Sequence, residues 1–149
     1  MEFTVSELIA AAPDEVYRVL IDVERSAEVL PGVSRVEVLS EERSGAGLKW
    51  RESRRMMGRD ASIELEIVEA TRPHRLKIES RVMNTSYEST FTITAASGGT
   101  HLAHDFKSVG GGFLAGIIEK MTAGTMKSSM QADLAAIKSY CEGHAEELV

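Results

Sequence analysis

The chain has 149 residues and a formal charge of -6, with 43% apolar but only 5% aromatic side chains. That length reads as a single domain, 1–149, with room for a real core. The acidic balance argues against a nucleic-acid partner, because neutralising phosphates takes a basic surface. A single cysteine, Cys141, rules out an internal disulfide and fits a reducing compartment. The first residues carry neither a cationic nor an apolar signal region, and no apolar run reaches membrane-spanning length. The expectation is a cytoplasmic protein without membrane insertion, a monomer or homodimer.

In chain order, Phe3 to Ala10 is apolar on both alternations and reads as a strand whose inward face stays open. Ala12-Pro13-Asp14-Glu15 puts proline and acids where a first helical turn favours them, so Val16, Val19 and Leu20 form a short amphipathic helix. A second short helix is expected from Glu24 to Val29, stopped by Pro31-Gly32. From Val33 to Ser108 the period becomes two, and six strands are predicted: Val33 to Glu41, Gly47 to Met57, Asp60 to Ala70, Arg75 to Val82, Ser86 to Ala95 and Thr100 to Ser108. Their connections are too short for parallel crossovers, which makes an antiparallel meander. Alternation turns Leu48, Trp50, Ile63, Leu65, Ile67, Leu76, Ile78, Val82, Phe91, Ile93, Leu102 and Phe106 inward. It turns Lys49, Arg51, Glu64, Glu66, Lys77, Glu79, Thr92 and Thr94 to water. A two-residue turn at Gly58-Arg59 would set Met57 against Asp60 and Arg51 against Glu66.

Gly110, Gly111 and Gly112 then end the strand pattern. Leu114, Ile118, Met126, Met130, Leu134, Ile137 and Cys141 follow at helical steps, with Ile117 and Met121 beside them. One helix from Gly110 to about Glu142 would run about 45 Å, more than filling a core requires. Gly116, Ala123, Gly124, Thr125 and Ser128 lie among its methionines. Small residues leave room and methionines repack, so the pattern predicts a helix closing over a ligand cavity.

This order of elements resembles the helix-grip fold of the START-domain and pollen-allergen superfamily (SRPBCC). That is an α+β fold in which a curved seven-stranded antiparallel sheet wraps a long C-terminal helix, with two short helices after strand 1. Within it the chain is most similar to the polyketide cyclase/dehydrase-like group. The resemblance spans the whole sequence and rests on Ile9-Ala-Ala-Ala-Pro-Asp-Glu-Val-Tyr-Arg-Val-Leu20, Leu30-Pro-Gly-Val33, Gly47-Leu-Lys-Trp-Arg-Glu52, Val68-Glu-Ala-Thr-Arg-Pro73 and Leu134 to Glu142. It implies binding of a small hydrophobic molecule, lipid- or polyketide-like, between sheet and helix, and in some members aromatisation or cyclisation there. The group has no universal catalytic signature, so no residue inherits a role from it.

The residues themselves nominate a site. Glu52 and Arg54 share the parity of Leu48 and Trp50 and should project to the concave side. A carboxylate taken from water without a partner titrates or costs several kcal/mol, which makes Glu52 a candidate acid or base; the plainer reading pairs it structurally with Arg54. His104 shares the parity of Leu102 and Phe106 and is the second candidate, against the plainer reading of a satisfied rim histidine. Ser80, Tyr87 and Ser89 add inward hydroxyls. Trp50, Ile63, Leu65, Ile78, Phe91 and Phe106 from the sheet and Ile117, Met121 and Thr125 from the helix complete the expected lining.

No cofactor or metal is expected. His101 and His104 stand three apart on a strand, hence on opposite faces, while His74 and His144 lie apart. Gly110 to Ala115 fits the dinucleotide pattern G-x-G-x-x-A, but no parallel strand follows, and the glycines read as a hinge or helix start. Cys141 reads as packing. Lys49, Arg51, Arg55 and Arg59 suit an acidic carrier or a phosphate, or more plainly a solvated face matched by Glu64 and Glu66.

The first functional expectation is a non-enzymatic binder of an apolar or aromatic molecule. The alternative is a polyketide cyclase, aromatase or dehydratase using Glu52 or His104 as acid/base. A third is a quinone-chaperone-like or ribosome-associated interaction module.

Overall fold

The structure, a computed structural model, describes residues 1–56 and 58–144. Strand β1 (Glu2–Ile9) leads into α1 (Pro13–Ile21), a 3-10 turn (Val23–Arg25) and α2 (Ser26–Val29). Six strands follow, β2 (Val33–Val38), β3 (Lys49–Met56), β4 (Arg59–Thr71), β5 (Arg75–Val82), β6 (Thr85–Ala96) and β7 (Gly99–Gly110), before α3 (Gly112–Gly143). They form one antiparallel sheet in the order β1-β7-β6-β5-β4-β3-β2, so the meander runs β2 to β7 and β1 pairs with its last strand. This is the helix-grip architecture that the element order led us to expect.

Local chemistry accounts for the details. Pro13 opens α1, and the Glu15 carboxylate accepts the Ala12 amide at 3.2 Å, meeting one donor that a helix start leaves free. β2 stops at Val38 rather than Glu41 because the Ser40 hydroxyl takes the Lys49 amide at 2.9 Å, replacing a ladder bond with a side-chain one. The β3–β4 register differs from expectation by two residues: Arg51 faces Glu64, Lys49 faces Glu66 and Arg55 faces Asp60. The turn falls between Met56 and Arg59 instead of being made by Gly58-Arg59, and Met57 lies outside the described residues. An even shift keeps every side chain on its face, so the inward and outward sets survive. Arg51 ion-pairs with Glu64 at 2.9 Å and Glu37 at 3.2 Å, and Lys49 with Glu66 at 3.7 Å, the solvated charged face of the plainer reading.

The helix begins two residues later than expected because Gly110, Gly111 and Gly112 all have positive φ, at 92°, 91° and 72°. A Cβ on Gly111 would sit 2.3 Å from the Thr85 hydroxyl, so the chain reverses where only glycine fits. The 32 residues of α3 span about 48 Å. Its C-terminal half buries Leu134, Ile137 and Cys141 against Val5, Ile9, Val16, Tyr17, Ile93 and Leu102. A second cluster joins Val23, Leu48, Trp50, Ile67 and Leu76.

The N-terminal half behaves otherwise. Leu114, Ile117, Ile118 and Met121, expected on or beside the buried stripe, are 74%, 44%, 60% and 80% exposed. The cause is angular. Ile118 to Met126 is a step of eight, which rotates about 80° around a 3.6-residue helix, and Leu114 sits about 180° from Cys141. Val82, also expected inward, is exposed at the end of β5.

Candidate functional site

The register sets the inward side chains in rows across the concave face. One row runs Trp50, Leu65, Ser80, Tyr87, Ser108; the next, Ile67, Ile78, Ser89, Phe106, Phe3; the third, Leu76, Phe91, His104, Val5. Glu52 faces Ile63 one step beyond Trp50. The sheet residues nominated from sequence are therefore neighbours. Trp50, Glu52, His104 and Phe106 are buried, while Ile63, Leu65, Ile78, Ser80, Tyr87, Ser89 and Phe91 are half-buried, so the face is a cleft only partly covered. The helix residues Ile117, Met121 and Thr125 are exposed on the stretch of α3 that leaves this cleft open.

At the cleft's edge, Arg54 Nε donates to Glu52 at 2.7 Å and Arg54 Nη2 donates to Asp133 of α3 at 3.1 Å. Burial works against the guanidinium charge, but Glu52 and Asp133 outweigh it and hold the Arg54 pKa above its ordinary value. Burial likewise raises the Asp133 carboxyl, against the pull of Arg54. The Glu52 carboxylate is thus a counter-ion to Arg54, as the plainer reading had it. Sequence reasoning missed Asp133. Its signal was available: a lone acid three residues after Met130 and four before Ile137, on an otherwise apolar stripe.

His104 lies 6% exposed, its ring stacked on Phe91 with centroids 4.3 Å apart and its Nε2 2.9 Å from the Ser89 hydroxyl. Burial pushes its pKa down to about 4, opposed by Asp105 and helped by the positive Arg54. At neutral pH it is an uncharged imidazole, a base or hydrogen-bond partner rather than a proton donor. Tyr87 stacks on Phe106, which stacks on Phe3. Cys141 is buried and its thiol is pushed up to about 12, which suits packing.

Two other depressions mark the surface. One of about 280 Å³ is lined by Arg18, Val19, Asp22, Arg25, Val29 and Tyr140, and one of about 180 Å³ lies by Leu8, Gly99 and Lys138. Neither contains a residue nominated from sequence. Among the described residues no three His, Cys, Asp or Glu side chains are placed to hold a metal, and no helix is long and apolar enough to cross a membrane.

Residues 1–142 match the family described as polyketide cyclase / dehydrase and lipid transport. No curated protein matches the chain by sequence. Among solved structures it is similar to the Zhui aromatase/cyclase from a Streptomyces species, at 20% identity and a TM-score of 0.75 over 97% of this chain and 93% of that one. A START superfamily protein from Mycobacterium smegmatis superposes with a TM-score of 0.71 at 15% identity over 99% of both chains. The di-domain ARO/CYC BexL gives 0.81 at 19% identity, covering 95% of this chain but 50% of that one. The chain spans about half the length of such two-domain proteins. At these identities the likeness is one of fold.

Proposed function

Because the chain belongs to the polyketide cyclase / dehydrase and lipid transport family, we propose that its concave face binds an apolar or aromatic small molecule, lipid- or polyketide-like. The observation that carries this is the half-buried patch of Ile63, Leu65, Ile78 and Phe91 lying beside a half-buried, ion-paired arginine and a neutral histidine. Aliphatic and aromatic walls supply affinity, and the few polar groups, Arg54, Ser80, Tyr87, Ser89 and His104, orient the ligand. Native mass spectrometry of the protein isolated from its own host tests it: a small molecule is retained by the wild type and lost from Ile78→Asn, whose melting point is checked in parallel. A wild type that carries nothing, and takes up no tricyclic aromatic probe when offered one, would sink the reading.

A second reading is favoured by three ionisable groups, Glu52, Arg54 and Asp133, meeting at one edge of the cleft, with His104 on the same concave face and near enough for the Arg54 charge to lower its pKa. Here the protein is a cyclase or dehydratase: His104 accepts a proton as neutral base, while Arg54 steadies the developing enolate oxygen. Glu52→Gln and His104→Ala, assayed on a poly-β-ketone substrate, are expected to bind it but turn it over slowly. Unchanged turnover in both variants removes these residues from the chemistry.

A further inference from the structure

The first half of α3 is turned inside out. Toward the fold it sets the half-buried Ala115, Gly116, Glu119 and Ala123, while Phe113, 83% exposed, joins Leu114, Ile117, Ile118 and Met121 in solvent. At 100° per residue Leu114 lies opposite Cys141, so rolling these side chains inward would unseat Leu134, Ile137 and Cys141 at the other end. The five large side chains together expose roughly 650 Å², more than a monomer usually leaves in one apolar patch and close to each partner's share of a standard interface. Their cover must come from another molecule.

The same helix face says which molecule that is. Continued from Leu114, Ile117 and Met121 at steps of three and four, the stripe reaches Gly124, Ser128, Gln131 and Ala135, all of them exposed. One half is large and apolar, the other mostly small. No charge lies on it, since Lys120 and Lys127 stand about 90° or more round the helix. An apolar layer such as a bilayer would meet little to hold on the small half, whereas a second α3 laid antiparallel uses both halves. With a two-fold axis midway between Met121 and Gly124, Met121 packs on Gly124 of the second copy and Ile117 on its Ser128. Leu114 then meets the stem of the second copy's Gln131, a residue whose amide is turned away to the Ser6 carbonyl. A side chain at Gly124 would meet nothing of its own chain within 4 Å, so the seat is open. Glycine inside a helix destabilises it, and close approach of another backbone is a reason for it to stand there.

We propose that α3 forms a two-fold, antiparallel helix pair with a second copy of this chain, the large half of each stripe seated in the small half of the other. Phe113 and Ile118 flank the contact. The pairing needs no ligand and stands independently of what the cleft binds.

Sedimentation velocity between about 1 µM and 500 µM tests it: the wild type is expected to pass from the mass of one chain to that of two, as a modest interface does. Gly124→Leu is the decisive variant. It adds apolar surface where the chain has open space and removes a glycine from a helix interior, so its melting point should hold or rise. In the pair the new side chain collides with Met121 of the second copy, and self-association is expected to weaken at least about tenfold. Met121→Ser is expected to weaken it too, by emptying the seat. A wild type that is still monomeric at about 500 µM, or that leaves solution for phosphatidylcholine–phosphatidylglycerol vesicles instead of pairing, overturns the proposal. So does a dimer that either variant leaves unchanged, or that Gly124→Leu tightens, since undirected apolar contact would gain from the added leucine.

Discussion

The two halves of α3 are built from similar residues and meet different fates. From Met126 onward the helix sinks Leu134, Ile137 and Cys141 into the sheet and α1, whereas Leu114, Ile118 and Met121 of the first half stand in solvent over half-buried strands. Composition does not separate them; rotation about the helix axis does, together with what each half finds opposite. The buried half meets Val16 and Tyr17 from α1 as well as β1. The difference teaches that one continuous helix can serve as a wall of the core at one end and as an incomplete cover at the other.

That contrast can be broken or sharpened by experiment. Leu134→Ala should cost about 2–5 kcal/mol in urea unfolding, since it empties a fully buried site. Next comes the pH response. The folded-state pKa of His104, about 4, lies below the ordinary 6.5, so the neutral ring stabilises the fold fully above about pH 6.5. As the pH falls toward 4 the unfolded chain takes the proton first, and about 3 kcal/mol should be lost. Asp133, with its raised pKa, works the other way, its burial penalty fading as acid protonates it. His104→Phe isolates the histidine share: denaturation at pH 7 and pH 4.5 should show a much flatter dependence.

Arg54→Ala should cost about 2–3 kcal/mol, less than for a fully buried pair because a quarter of its side chain is exposed. The loss should shrink in acid, as Asp133, its pKa raised by burial, protonates. Smallest of all, Ile118→Ser should change stability by no more than about 0.5 kcal/mol. A loss comparable to that of Leu134→Ala would mean that the first half of α3 is covered in solution and that the contrast drawn here is wrong.

Much of this was legible beforehand. Strand alternation placed Glu52 and His104 inward, and both are buried, because period two is rigid and survives a two-residue error in register. The helix stripe was less safe: each residue adds 100°, so a gap of eight without an anchor left the face of Ile117 and Met121 undetermined. Asp133 escaped because a lone acid on a helix is ordinarily solvated; only its meeting with Arg54, 79 residues away in sequence, gives it a role. That the buried indole Nε1 of Trp50 finds no hydrogen-bond partner was beyond reach from sequence, since an unpaired group is known only when every neighbour has a position.

The glycine reversal ahead of α3 has a mechanical corollary. With Gly110 tight against the Asn84 carbonyl and Gly111 against Thr85, the β5–β6 turn and the first turn of the helix have no slack between them. Met83, 91% exposed with φ 55°, projects from that same turn, so the strand reversal and the start of the helix share one tightly packed corner.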